Sequence, residues 1–151
     1  MRAVISVVAI AVVLSGLGLW LGVHGNSTPG EENTNYGISM MTDRLTYTVG
    51  EPITMTLKVF NNTEEEVTFH FNTSQRYDFV ITDEEENEIW RWAGDRMFAM
   101  VLGEETLGPD NPEVTYSAQY KSKLSPGYYK VTGILVATDR PMTGSVTIIV
   151  K

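Results

Sequence analysis

The chain has 151 residues, a formal net charge of -8 and no cysteine. The missing cysteines exclude disulfide scaffolds, thiolate metal centres and thiol catalysis, and the acidic balance opposes binding to phosphate backbones or anionic headgroups. Once the terminal segments are set aside, the length suits one domain with a hydrophobic core of its own.

From Ala3 to Val23 the chain is apolar and uncharged, after a single basic residue, Arg2. Such a run enters a bilayer as a helix with its N-terminus on the cytoplasmic side, so the rest of the chain is expected outside. Its length suits a spanning anchor, while Val23-His24-Gly25 offers a small residue for signal-peptide cleavage; both readings of residues 1-25 stand. Lipid attachment at a cysteine is excluded. Residues 26-36 are rich in Asn, Ser, Thr, Pro, Gly and Glu and read as a flexible polar linker. Residues 37-151 form the domain.

Within it, Ile38 to Met41 and Leu45 to Thr48 read as a broken first strand, followed by a turn at Val49-Gly50-Glu51-Pro52. Ile53, Met55, Leu57 and Val59 alternate with Thr54, Thr56 and Lys58, as a half-buried strand requires. Asn61-Asn62-Thr63 and Glu64 to Glu66 end that strand in a solvated turn. Phe69 with Phe71, Tyr77 with Phe79 and Ile81, and Trp90 with Trp92 then alternate in three segments that read as paired strands, the last two joined by an acidic hairpin loop from Asp83 to Asn87. From Asp95 to Gly108 the three- and four-residue recurrence of Met97, Met100 and Val101 predicts a short helical turn. Val114, Tyr116, Ala118 and Tyr120 alternate again, as do Tyr129, Val131, Gly133 and Leu135, and Val146, Ile148 and Val150 close the series. Seven to nine short strands without long helical crossovers predict an all-β, immunoglobulin-like antiparallel β-sandwich behind one N-terminal hydrophobic helix. A tyrosine corner is expected at Tyr128 or Tyr129, beside Ser125-Pro126-Gly127.

Phe69-x-Phe71, the block Ser74-Gln75-Arg76-Tyr77-Asp78-Phe79, the block Trp90-Arg91-Trp92 and Phe98 together resemble the signature of the BsuPI family. The resemblance runs from about Leu45 to Val136 and departs from the family pattern at Ala93, where Ser is usual. Members are described as intracellular proteinase inhibitors, so the resemblance implies a non-enzymatic protein that binds a serine proteinase. The N-terminal run instead implies an exported or anchored member. The alternative function is an envelope-associated immunoglobulin-like binding module without inhibitory activity.

No catalytic constellation accompanies these blocks. His24 and His70 are the only histidines, and His70, alternating with Phe69 and Phe71, is expected to face water as an ordinary surface residue. Asp83, Glu84, Glu85, Glu86 and Glu88 lack the spacing of a calcium loop and read as a solvated turn. No metal, cofactor, nucleic acid or small-molecule substrate is expected; the expected partners are a protein and, if the N-terminal helix is retained, the membrane. The aromatic motif residues are expected in the core, with Arg91 placed to pair with Asp78 across the hairpin. Two loops are candidates for the interaction: Asn72-Thr73-Ser74-Gln75-Arg76, whose arginine suits a trypsin-like pocket, and Leu107 to Glu113. Sequons occur at Asn26, Asn61 and Asn72.

Overall fold

The computed structural model describes residues 35-151. The apolar run, its cleavage position, His24, Asn26 and the linker as far as residue 34 lie outside the described residues. Among the described residues no helix is long and apolar enough to cross a membrane.

The described chain is all-β. In order it forms β1 (Tyr36–Thr42), β2 (Thr46–Tyr47), β3 (Ile53–Asn61), β4 (Val67–Phe71), β5 (Tyr77–Thr82), β6 (Glu88–Arg91), a 3-10 turn (Trp92–Asp95), β7 (Gly103–Leu107), β8 (Glu113–Tyr120), β9 (Gly127–Leu135) and β10 (Met142–Val150). One sheet has the order β1-β3-β8, a second β2-β10-β9-β5-β6, and β4 and β7 make a two-stranded third. The pairings are antiparallel except for β2 with β10.

Side-chain alternation drives the sheets together, consistent with a β-sandwich. On β3, Ile53, Met55, Leu57 and Val59 are sealed from water, and they share one core with Val131, Leu135, Phe79, Ile81, Ile148 and Val150 of the second sheet. At Gly133 a Cβ would lie 2.6 Å from Leu57 Cδ1 and 2.8 Å from Met40 Sδ, so glycine is what lets the two sheets close there. Phe69, Phe71, Val67 and Leu107 extend the same core under the third sheet.

Polar groups close the ends. Asn61, buried at the end of β3, donates its amide to the carbonyls of Glu65 (2.7 Å) and Leu107 (2.9 Å), while its Oδ1 accepts from Thr63 N (3.0 Å). Its amide nitrogen is therefore fully used, and the Asn61 sequon is a structural turn with no room for a glycan. Asn72 is exposed. The Tyr129 phenol donates to Ser125 O at 2.9 Å, which assigns the corner to Tyr129; Tyr128 faces solvent.

Two further phenols make the fold sensitive to alkali. Tyr47 is buried and donates to Asp43 Oδ1 at 2.7 Å, and burial together with that bond pushes its pKa up to about 12. The Tyr116 hydroxyl is buried without a hydrogen-bond partner, and desolvation pushes it up to about 12 as well. Because the folded values lie above the ordinary value near 10, these groups leave stability unchanged below pH 10 and remove it as pH rises toward 12. Urea unfolding at pH 7, 9 and 11 is expected to give equal contributions from these phenols at the first two values and a clear loss at the third. Tyr116→Phe, which deletes an unpartnered buried hydroxyl, is expected to reduce that loss and to be neutral or stabilising at pH 7.

The structure corrects three expectations. There are ten strands among the described residues, not seven to nine, because the broken first strand divides between two sheets and β7 replaces part of the expected helical turn. The aromatic segments do not pair in series: β5 pairs with β6, with Ile81 opposite Trp90, but β4 pairs with β7. The reason is that β9 and β6 already occupy both edges of β5, so β4 has no open edge there. Among the described residues helical geometry is confined to Trp92–Asp95, a turn with no side-chain cap and no buried residue, and nothing in it favours propagation.

A braced apolar loop as candidate functional site

Between the 3-10 turn and β7, the six residues Met97-Phe98-Ala99-Met100-Val101-Leu102 carry neither charge nor a hydrogen-bonding side chain. They are nevertheless presented to water: Met97 is 99%, Met100 82%, Val101 53% and Leu102 84% exposed. An apolar strip of this kind is costly to hydrate, a property it shares with surfaces that bind other molecules.

The strip is held at both ends and in the middle. At its start, Arg96 lies 4.4 Å above the Trp92 ring and donates Nε–H to Trp92 O at 2.9 Å, while Phe98 packs 5.8 Å from the same ring. Trp92 stacks on Tyr77 (4.4 Å, 29°), and Tyr77 on Tyr116 (4.7 Å, 22°), so the column is rooted in β5 and β8. In the middle, Ser74 grips Ala99 twice: its N–H donates to Ala99 O at 2.9 Å, and its Oγ accepts from Ala99 N at 3.0 Å. Val101 N also donates to Ala99 O at 2.9 Å, closing a three-residue turn centred on Met100. At the far end Gly103 enters β7 opposite Phe71.

The sequence-based interaction loop is the brace of this feature. Asn72 and Ser74 are exposed, while Thr73, Gln75 and Arg76 are half-buried. Thr73 Oγ1 accepts from Gln75 N (3.1 Å), and Gln75 Nε2 donates to Tyr77 O (3.1 Å). The Arg76 guanidinium is folded inward, 4.5 Å over the Phe71 ring, with Nη1 donating to Thr73 O at 2.8 Å. A Cβ at Gly103 would collide with it. Arg76 is thus packed against the domain and does not extend as a side chain for a trypsin-like pocket. The other candidate loop is a tight turn between β7 and β8, closed by Gly108 and Asn111 bonding each other's backbone at the opposite end of β7.

The remaining motif residues build the frame. Phe69, Phe71 and Phe79 are sealed in the core, and Tyr77, Trp90, Trp92 and Phe98 are half-buried, with Trp90 lying 4.9 Å from Tyr120. Asp78 is buried; its Oδ2 accepts from Arg91 Nη1 at 2.7 Å, and its Oδ1 from the backbone of Phe79 (2.9 Å) and Ala93 (3.0 Å). Arg91 also forks onto Glu88, with Nη2 to Oε2 at 2.7 Å, and this bond holds the Glu88 carboxyl below its usual range. The hairpin thus carries its Asp78–Arg91 pair and fixes the start of the 3-10 turn through Ala93.

His70 is exposed on β4, as expected, but it is not solitary. Its Nδ1 lies 2.9 Å from Asp139 Oδ2 and its Nε2 3.5 Å from Glu104 Oε1. The His70 backbone N–H (3.0 Å) and then its ring lower the Asp139 carboxyl to about 2. A shallow depression of about 380 Å³ lies beside it, lined by His70, Phe71, Asn72, Leu102, Gly103 and Glu104. In the acidic hairpin, Asp83 spends its carboxylate on Asn87 and Glu85 of its own turn, and the Asn87 side chain holds it below its usual range. Among the described residues no group of acidic and histidine side chains is arranged to hold a metal ion.

Comparison with known proteins places this frame. No curated protein matches the chain significantly in sequence. Among solved structures, the fold is similar to Spo0M, the sporulation control protein of Bacillus subtilis, with a TM-score of 0.50 and 13% identity over 78% of this chain and 49% of that one. Weaker likenesses are to the alkylpurine DNA glycosylase AlkC of Pseudomonas fluorescens (TM-score 0.45, 12% identity, 80% of this chain and 31% of that) and to a CARDB domain of Pyrococcus furiosus (TM-score 0.44, 11% identity, 80% and 97%). The chain spans about half of Spo0M and about a third of the glycosylase, and at such identity the likeness is one of fold. The family pattern described as BsuPI, intracellular proteinase inhibitor, matches residues 40–140, and the chain belongs to that family.

Proposed function

We propose that this protein is a non-enzymatic inhibitor of a serine proteinase, built on an immunoglobulin-like sandwich and docking through the loop from Met97 to Leu102. The single observation that carries the reading is that loop: six uncharged residues, braced by Ser74 and Trp92, that hold Met97, Met100, Val101 and Leu102 in water. A proteinase cleft accepts an exposed loop whose apolar side chains fill its pockets, and a segment ordered in advance loses little entropy on binding. Family membership supplies the class of partner. The apolar run of residues 3-23 supports a location outside the membrane, either anchored or released by cleavage near Gly25.

The test uses the full chain in mild detergent against a panel of serine proteinases. Saturable inhibition with the chain recovered intact is expected. A variant carrying Met97→Asp, Met100→Asp and Leu102→Asp should keep its thermal midpoint and lose on the order of 100-fold in affinity. A folded chain that resists digestion yet inhibits no enzyme of the panel would overturn the reading and leave an envelope-associated binding module.

A further inference from the structure

Three apolar side chains of the loop project into water, and their backbone surroundings differ. Met97 follows Arg96, whose N–H donates to Ala93 O at 3.2 Å and whose side chain bonds the Trp92 carbonyl, and precedes Phe98, which is held by ring contact with Trp92; no bond between backbone groups closes a turn around Met97 itself. Leu102 borders the depression beside His70 and leads directly into the β7 pairing at Gly103. Met100 occupies the centre of the three-residue turn. The residue before it has both N–H and C=O bonded to Ser74, and the residue after it bonds back to the same carbonyl. Both peptide units that flank Met100 are therefore fixed before any partner arrives. No described non-glycine residue other than Glu86 has a positive φ, so this turn is of the common, unstrained inverse type.

We propose that Met100 is the side chain that enters the primary specificity pocket of the bound proteinase, and that this pocket is apolar and uncharged. The inference rests on the docking role assigned to the loop above. A long, unbranched thioether adapts to a deep apolar slot, whereas a pocket floored by a carboxylate would be left with a buried charge opposite an apolar group. Met97 and Leu102 then serve as flanking contacts. Ser74 is a positioning residue, because it touches the loop backbone and not the pocket.

The experiment measures inhibition constants of the full chain in mild detergent against two enzymes, one with an apolar primary pocket and trypsin, whose pocket carries a carboxylate. The variants are Met100→Arg, Met97→Arg and Leu102→Arg; all three positions are exposed, and unchanged thermal midpoints establish that each variant folds. The native chain is expected to inhibit the first enzyme and not trypsin. Met100→Arg is expected to weaken the first inhibition on the order of 100-fold and to create inhibition of trypsin. The other two substitutions are expected to cost less than about 10-fold and to create none. Trypsin inhibition gained by Met97→Arg or Leu102→Arg, or unchanged inhibition of the first enzyme by Met100→Arg, would overturn the assignment while leaving the docking loop in place. If the native chain and all variants inhibit neither enzyme, the docking role itself falls, and the assignment with it.

Discussion

Asp78→Ala is expected to lower the unfolding free energy by about 3 kcal/mol, the range found when one partner of a buried ion pair is removed. The size follows from what the carboxylate holds: Arg91 through Oδ2 at 2.7 Å, and two backbone N–H groups, of Phe79 and Ala93, through Oδ1. Its side chain is 5% exposed and that of Arg91 37%. Arg91→Ala is expected to cost less, about 2 kcal/mol, because water screens the guanidinium and the carboxylate keeps its two backbone donors. The double variant should lose at least about 1 kcal/mol less than the sum of the two, which urea unfolding of all four proteins in a cycle would measure. Additive losses would show that the pair is not coupled. Asp78→Asn, which keeps the shape and an acceptor oxygen, is expected to fall between wild type and alanine.

Phe71→Ala is expected to cost about 4 kcal/mol, as large-to-small changes of sealed aromatic residues do. Phe71 is 2% exposed, and one face of its ring carries the Arg76 guanidinium at 4.5 Å. Removing the ring opens a cavity and unseats Arg76, whose bond to Thr73 O holds the segment from which Ser74 grips Ala99. Phe71→Leu separates the two effects: it refills most of the cavity but offers no π face, and is expected to cost about 1–2 kcal/mol. Chemical unfolding reads the first effect. Hydrogen exchange at the Ala99 amide, which donates to Ser74, reads the second, and should accelerate in both variants. Slow exchange at Ala99 in Phe71→Leu would show that the brace does not depend on the aromatic seat.

The strands of the core were legible because alternation is a strong signal wherever one face is buried. Ile53 to Val59 and Tyr129 to Leu135 lie as the pattern reads, and the Asp78–Arg91 pair follows from residues on facing positions of one hairpin. Strand partnership was less legible. The pairing of β4 with β7 depends on which edges of β5 are free, a property of the whole sheet that no local pattern carries. The loop from Met97 to Leu102 was misread for a related reason. Met97, Met100 and Val101 recur with helical spacing, but spacing records a helix only if one face is buried, and here none of these residues is. The signal available was the uninterrupted apolar run from Met97 to Leu102, with Gly94 inside the preceding turn and no capping residue before it. Arg76 drew attention as the charged residue of a polar loop, whereas its inward fold depends on Gly103, far along the chain.

The contrast between the methionines gives the loop a chemical vulnerability. Met40 and Met55 are sealed in the core, whereas Met97 and Met100 hold their thioethers almost wholly in water. Peroxides transfer an oxygen atom to an accessible thioether, releasing water and leaving a polar sulfoxide. The first such lesions fall on the loop while the sandwich beneath it stays intact. Oxidation would therefore convert the apolar strip into a polar one without unfolding the protein. Until a methionine sulfoxide reductase restores the thioethers, that change would persist.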